Sequence, residues 1–378
     1  MNEKSRSIEL AANLLSLVLI VTILYYLQSV IVPLLFAILI AISLFPIARQ
    51  LENWRLPKVA AAIISVIIAI AVIAGLIYFI INQVIIIGHT DFNLHDKFLV
   101  IVDTIQNWVT TTFNLEPGEM WLWAKDQSSA VLSKATAYIT RAFGSAGSTL
   151  ASIILVPLYV FFLLYYRDFF REFFFRAFAS TPKQKIQHTL NTIYGVVQNY
   201  LLGLVTVMAI VAVLNTGGLY VLGIQYAWFF GTLASLLLLI PYIGIAIGSL
   251  LPALFALATK DSAWYAVGVI GWFQVVQFFE GNFITPNIVG GKVSINPLMA
   301  IISLLLGGLL FGLSGLILAL PFTAVLKVIL ESNPASQPFG FLIGEPKEYH
   351  LKRFSNKIVL KRWKAKSKVK TEKEELEK

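Results

Sequence analysis

The 378-residue chain is 58% hydrophobic and only 13% charged, carries a net charge of +9 and contains no cysteine. Soluble domains carry about 25% charged residues, so a water-borne globule is excluded, as are disulfides, thiolate nucleophiles and thiolate metal sites. Residues 331–378 hold 12 Lys/Arg against 7 Asp/Glu; beside apolar segments this excess points to a membrane surface, not to nucleic acid.

Leu10 to Ala48 contain no Asp, Glu, Lys or Arg. That run far exceeds the roughly 7–15 apolar residues of a cleavable signal, so it is expected to remain, as two crossings near 10–27 and 30–48 that turn at Gln28-Ser29. Arg49, Arg55 and Lys58 form a short basic loop, and Leu56-Pro57-Lys58 reads as the start of a third crossing near 59–81. The first unit is therefore 1–82.

Residues 83–147 differ in character, with 6 Asp/Glu against 4 Lys/Arg and with Trp108, Trp121 and Trp123 among scattered apolar positions. They are expected to form a small amphipathic helical insert outside the membrane. The core, 148–330, opens with a fourth crossing near 148–166. A basic stretch follows at 167–185, where Phe170, Phe174 and Phe178 recur at i, i+4 and the arginines take another face, as in a helix lying on the membrane surface. Thr181-Pro182-Lys183-Gln184 reads as an N-cap and capping box opening the next helix. The basic N-terminus, loop 49–58, stretch 167–185 and tail 331–378 all fall on one side, which the positive-inside rule makes cytoplasmic; the insert falls outside.

Ile186 to Thr259 is 74 residues without a charge. A bilayer core about 30 Å thick takes about 20 apolar residues to cross as a helix, so the run holds at least two crossings. Further crossings are expected near 198–221, 227–258, 262–285 and 297–330. Two of these are too long for one simple span. Pro241, Gly244, Gly248 and Pro252 interrupt 227–258, and Gly307-Gly308, Gly312, Gly315 and Pro321 interrupt 297–330. Each is either one kinked helix or a pair of half-helices; charge parity allows eight crossings if both are single and ten if both are paired, and eight is preferred. The expected fold is all-α and polytopic, with about eight crossings, two Pro/Gly-interrupted segments and the extracytoplasmic insert.

A broken helix frees backbone polar groups, and inside a membrane these survive only against protein or a cavity. In secondary transporters such breaks point to the substrate or ion site. The candidates for helix breaks or gating are Pro241, Gly244, Gly248, Pro286, Gly312 and Gly315, with close helix approach as the alternative use of the glycines. Glu280 ends an apolar run of 18 residues after Asp261 and is the most deeply embedded carboxylate. It is a candidate proton or cation group, with Gln277, Asn282 and Asn287 as polar neighbours; the alternative is an interfacial carboxylate paired with Lys292. Gln198, Asn199, Tyr200 and Asn215 are weaker candidates, and Lys327 is expected to snorkel to the interface. No enzyme signature stands out. His89, His95, His188 and His350 are dispersed, no metal site is expected, and no phosphate-binding P-loop is present, so ATP-driven transport by this chain alone is excluded.

The succession Ile240-Pro241-Tyr242-Ile243-Gly244, Glu280-Gly281-Asn282 with Pro286, Asn296-Pro297-Leu298 and Phe311-Gly312-Leu313-Ser314-Gly315 up to Leu320-Pro321 resembles the autoinducer-2 exporter family of bacterial membrane proteins. Order and spacing agree over about 190–330, and the N-terminal half agrees in layout. The chain departs from the family pattern at Ile245, where a second proline often stands, and at Asn296, where a histidine often precedes the proline. The resemblance implies an oligomeric transporter of the bacterial inner membrane that exports an autoinducer-2-like signal or exchanges cations for protons. The expectation is a secondary transporter with no cofactor, whose partners are the bilayer, a small molecule or cation, and further copies of itself. A passive channel is the alternative.

Overall fold

The computed structural model describes residues 3–88, 149–240, 243–290 and 295–346. They form eleven α-helices: α1 (Glu3–Tyr26), α2 (Gln28–Asn53), α3 (Lys58–Gly88), α4 (Thr149–Tyr165), α5 (Arg167–Ala177), α6 (Lys183–Val221), α7 (Ala227–Leu237), α8 (Ile243–Thr259), α9 (Trp264–Phe279), α10 (Pro297–Ser332) and α11 (Gln337–Ile343). The expected insert lies outside the described residues from position 89 onward. α3 runs through the expected boundary at 82 as far as Gly88.

α2, α3, α6 and α10 are long and apolar enough to cross a bilayer by length and composition. Their outward faces keep large apolar side chains; Ile67, Val72 and Ile77 of α3 are each more than half exposed. In water such a surface would aggregate, and in lipid it is satisfied. The chain is a multi-pass helical membrane protein.

The expected turn at Gln28-Ser29 is a bend. Only Leu27 separates α1 from α2, at φ −92° and ψ 14°, and helical hydrogen bonds bridge it, Leu27 N to Ile23 O and Ile31 N to Leu27 O, both 2.9 Å. No Gly, Asn or Asp is present there to supply a turn conformation. The capping box at 181–184 is absent as well. α6 begins at Lys183 with Pro182 as its extended N-cap and no side-chain cap bond, which leaves Thr181 one residue too early to reach the first turn.

Both long interrupted segments are helix pairs, so paired helices replace the preferred single kinked crossings. α7 and α8 run antiparallel. A Cβ on Gly244 would overlap the Leu237 carbonyl, one on Gly248 would sit 3.0 Å from Ala234 Cβ, and the Phe230 and Phe255 rings lie 5.1 Å apart further along. At 1.5 Å per residue the arms measure about 16 and 26 Å, so neither alone spans the hydrocarbon core. α10 folds back on itself at Phe311 (φ −130°) and Gly312 (φ +57°, ψ −136°). Gly307 and Gly315 would be about 12 Å apart in a straight helix. Instead a Cβ on Gly307 would meet the Gly315 carbonyl oxygen at 2.5 Å, and the arms touch backbone to backbone.

Three clusters tie the elements together. Ala37, Ala41, Leu44, Ala62, Val160 and Leu164 join α2, α3 and α4. Leu39, Val197 and Leu318 join α2, α6 and α10. Leu219, Phe229, Phe230, Phe255, Val269 and Phe273 join α6 to α9. α6 is the element common to the last two, and it is the spine of the molecule.

Candidate functional site

α6 holds its neighbours through positions where a side chain would not fit. Trp272 of α9 lies flat on Gly218, where a Cβ would overlap its indole, and donates from Nε1 to the Leu214 carbonyl at 3.1 Å. Gly231 of α7 leaves room for Thr216, and Gly203 receives the segment after α9, with Val289 Cγ2 3.0 Å from its Cβ position. Three elements are thus pinned to one helix at close range.

After Phe279 the α9 helix widens into π-helical turns at Glu280–Ile284 and Pro286–Gly290. A π-turn closes on residue i+5, and the Thr285 N–H bonds to the Glu280 carbonyl accordingly. The extra residue brings Thr285, not Ile284, above the Glu280 side chain. Thr285 Oγ1 donates to Glu280 Oε1 and Gln277 Nε2 donates to Oε2 at 2.7 Å. Both carboxylate oxygens are therefore held by neutral donors, and among the described residues no cation lies within 4 Å of them. Lys292, the partner considered from sequence, lies outside the described residues.

The remaining candidates separate. Asn282 is exposed and its amide donates to the Phe278 carbonyl at 2.8 Å; Asn287 is exposed on the second π-turn, which Pro286 opens. Gln198 is half-buried on α6, about 7.5 Å along the axis before Gly203. Gly244 and Gly248 are the contact points of the first hairpin, Gly315 that of the second, and Gly312 its tip; Pro241 lies outside the described residues. The second hairpin packs on α6, α2 and α11. Among the described residues it makes no extended packing with the π-helical segment or with α7 and α8, so the two broken segments meet through α6 and not directly.

Three features went beyond the sequence reading. Asn215, ranked among the weakest candidates, is 3% exposed on α6, and its Oδ1 has no hydrogen-bond partner among the described residues. It lies between Leu214, which receives the Trp272 bond, and Thr216, which abuts Gly231. An open buried acceptor is costly unless something completes it. Lys327, expected to snorkel, pairs with Glu331 at 3.5 Å and lays its stem against Gly344 of the α11 end. Asn296 accepts from Met299 N at 2.9 Å to cap α10, while its Nδ2 donates to the carbonyls of Leu342, Ile343 and Gly344 at 2.7, 3.1 and 3.1 Å. The departure from histidine at this position places a clamp between hairpin and tail helix.

Comparison with known proteins agrees with this architecture. Residues 14–334 match the AI-2E family transporter profile. The AI-2 transport protein TqsA of Escherichia coli (strain K12) is 24% identical over 336 residues, covering 87% of this chain and 93% of TqsA. YhhT of the same strain is 26% identical over 337 residues, covering 88% and 93%. YrrI of Bacillus subtilis (strain 168) is 38% identical over 132 residues, 35% of this chain and 37% of YrrI, so that alignment spans little more than a third of the relative. The names of YhhT and YrrI give a provisional transport role and no cargo. With its long uncharged helices, its two hairpins and a profile match over nearly its whole length, the chain belongs to the AI-2E family of membrane transporters.

Proposed function

We infer that the protein is a secondary transporter whose translocation path runs beside α6, between the π-helical segment carrying Glu280 and the two hairpins. The observation that carries this is the Glu280 carboxylate itself, set in widened helical turns and held, among the described residues, by the neutral donors Gln277 and Thr285. An ionisable side chain within a membrane segment is a functional-site candidate by default, and a carboxylate suits a proton or a metal cation. π-Turns recur at functional sites because they turn side chains and backbone groups away from the regular helical pattern. Asn215, with its open oxygen, is the second group proposed to face the path, with Gln198 about 26 Å further along the same helix; Asn282 and Asn287 are proposed to line the exposed side.

The cargo proposed is a small polar molecule of the autoinducer-2 type moved outward, or a cation exchanged for protons; the name of TqsA and the resemblance of the C-terminal motifs support the first. The charge distribution supports an inner-membrane orientation with the basic loops and tail on the cytoplasmic side, and the family resemblance supports a homo-oligomer.

The test is flux in proteoliposomes with autoinducer-2, Na⁺ and H⁺ under imposed gradients, comparing wild type with Glu280→Gln. The amide keeps the volume and loses the charge. Gradient-driven flux is expected to fall at least tenfold with folding unchanged. Equal coupled flux from the variant removes Glu280 from the path, and gradient-independent conductance in both proteins replaces the transporter reading with that of a channel.

A further inference from the structure

A cavity of about 750 Å³ lies between α2, α4, α5 and the start of α6. Its size falls in the range of sites that enclose small ligands. Its wall on α2 is one helical stripe, Ile38, Ala41, Ile42, Phe45, Arg49 and Glu52, at the i, i+3, i+4 spacing of a single face. Read along that stripe, the lining changes from wholly apolar to charged within about 21 Å. α6 repeats the gradient in reverse order, with Gln187 and Asn191 at the polar end and Tyr194 further in, where its ring meets Phe45 edge-on at 5.2 Å.

The charges are unequal in their duties. Arg167 is fixed, donating to Glu52 with its guanidinium carbon 5.2 Å from the centre of the Phe45 ring; this pair is mostly buried and neutral as a unit. Asp168 is tied to Lys58 at 2.5 Å. Arg49 and Arg171 also line the cavity and are exposed at its mouth, and among the described residues neither has a carboxylate within 4 Å. Two free guanidiniums therefore face one opening whose far end is hydrocarbon. α5, which carries Arg171, keeps Phe169 and Phe173 67% and 55% exposed, as a helix does when it rests its aromatic face in the lipid interface. The mouth then lies at headgroup depth.

We propose that this crevice is a binding site for an anionic glycerophospholipid, its phosphate gripped by Arg49 and Arg171 and one acyl chain laid along Ile38, Ala41, Ile42 and Leu163. Guanidinium is the side chain best matched to phosphate oxygens, because its planar fork donates two parallel bonds. A soluble phosphate would use the arginines and leave the apolar depth empty. A zwitterionic lipid would fill the depth and bring its own cation to the arginines. Only an anionic amphiphile satisfies both ends.

The full chain in detergent, titrated with dioctanoyl-phosphatidylglycerol, dioctanoyl-phosphatidylcholine and glycerol phosphate and read by native mass spectrometry, tests this. The expected result is one saturable phosphatidylglycerol adduct, at least tenfold tighter than phosphatidylcholine, with no adduct from glycerol phosphate in the same range. Arg171→Glu, an exposed position whose change leaves the packing intact, should weaken that adduct at least tenfold, and Arg49→Glu likewise. Arg176→Glu, on the same helix but outside the cavity, should leave it unchanged. Equal binding of the two lipids would show apolar adsorption only. An adduct with glycerol phosphate as tight as that with the lipid would show a soluble-anion site. Phosphatidylglycerol binding that survives both arginine reversals would place the lipid elsewhere. Each of these overturns the proposal, as does the absence of any adduct.

Discussion

The two hairpins solve one problem in different surroundings. In the first, one face of α7 and α8 is buried in the core, with Phe229, Phe230, Ala253, Phe255 and Ala256 all at most 5% exposed while Trp228 and Leu250 face outward, and the arms join where Gly244 lies against the Leu237 carbonyl. In the second, the arms of α10 touch through Gly307 and Gly315, yet Leu305, Leu309 and Leu313 face outward, 63%, 78% and 53% exposed. The tip residue Gly312 has nothing within 4 Å of its Cβ position. Both hairpins are joined backbone to backbone, at Gly244 in the first and at Gly307 with Gly315 in the second, but the first also packs on its neighbours while the tip of the second stands free. Added atoms break either hairpin at those contacts, whereas at the open tip only a change in the backbone angles does.

Gly244→Val is the strongest test of that contrast. The added carbons fall onto backbone, which cannot move aside as a flexible side chain can, and overpacking of a core typically costs about 1–3 kcal/mol and occasionally more. Loss of a monodisperse peak in size-exclusion chromatography, or a thermal midpoint lowered by many degrees, is the expected outcome. A stable Gly244→Val protein would show that α7 and α8 can separate.

Gly312→Ala should behave differently. Space is free, so the close approach expected there from the sequence belongs to Gly307 and Gly315 instead. The obstacle is the conformation, φ +57° with ψ −136°, that of the first central residue of a type II′ turn and hostile to a Cβ. Strain of this kind costs about 1–3 kcal/mol. The protein should fold with a modestly lowered midpoint and reduced flux, and Gly312→D-Ala, introduced by semisynthesis, should restore both. Equal losses in the two enantiomers would place the fault in space after all.

How much of this was legible in the sequence follows from the same contrast. Uncharged runs show that the chain lives in a membrane, because each charge inside costs about 2.5–3.5 kcal/mol by insertion scales. Clustered prolines and glycines show that a break lies near, although of these glycines only Gly312 forms one and Gly244, Gly248, Gly307 and Gly315 lie inside helical arms. They do not show which way a break folds: Gly307 and Gly315 meet only because Gly312 reverses the chain, and an eight-residue spacing carries no helical signal. Likewise Thr285 joins Glu280 because of a π-turn, and periodicity counted at 3.6 residues points to the wrong neighbour. Asn215 ranked low because polar residues in membrane helices usually find partners; burial without a partner is visible only in three dimensions.

A smaller effect is expected at the base of the second hairpin. Asn296 caps α10 and holds the last carbonyls of α11 through one side chain. Replacing it with alanine removes the cap and those bonds, and cap removal alone costs about 1 kcal/mol. Because the Asn296 backbone N–H still donates to the Ile343 carbonyl at 3.0 Å, the loss should not be much larger. Hydrogen exchange should rise in 295–300 and 337–344 while α7 and α8 stay protected. Faster exchange in α7 would mean that the two hairpins are coupled more tightly than their packing through α6 provides.

The smallest expected effect lies outside both hairpins and serves as their control. Asp168 stands beside Lys58 at 2.5 Å, joining the start of α3 to α5. Its carboxyl titrates below its ordinary value of 3.8 chiefly because Lys58 donates a hydrogen bond to it; partial burial opposes the shift, and the charges of Lys58, Arg167 and Arg171 add to it. A carboxylate lowered on folding binds fewer protons in the folded state than in the unfolded one. Its contribution is therefore fully present above the unfolded value and is lost as pH falls through the lower folded value. Both partners are about half exposed, so solvent screening holds the contribution below about 1 kcal/mol. The midpoint of Asp168→Asn should fall slightly short of wild type at pH 6, and the gap should close below pH 3.8. A gap that persists unchanged in acid would assign the difference to packing of the side chain, not to its charge, and would remove the Lys58 tie as the element that anchors α5 independently of the hairpins.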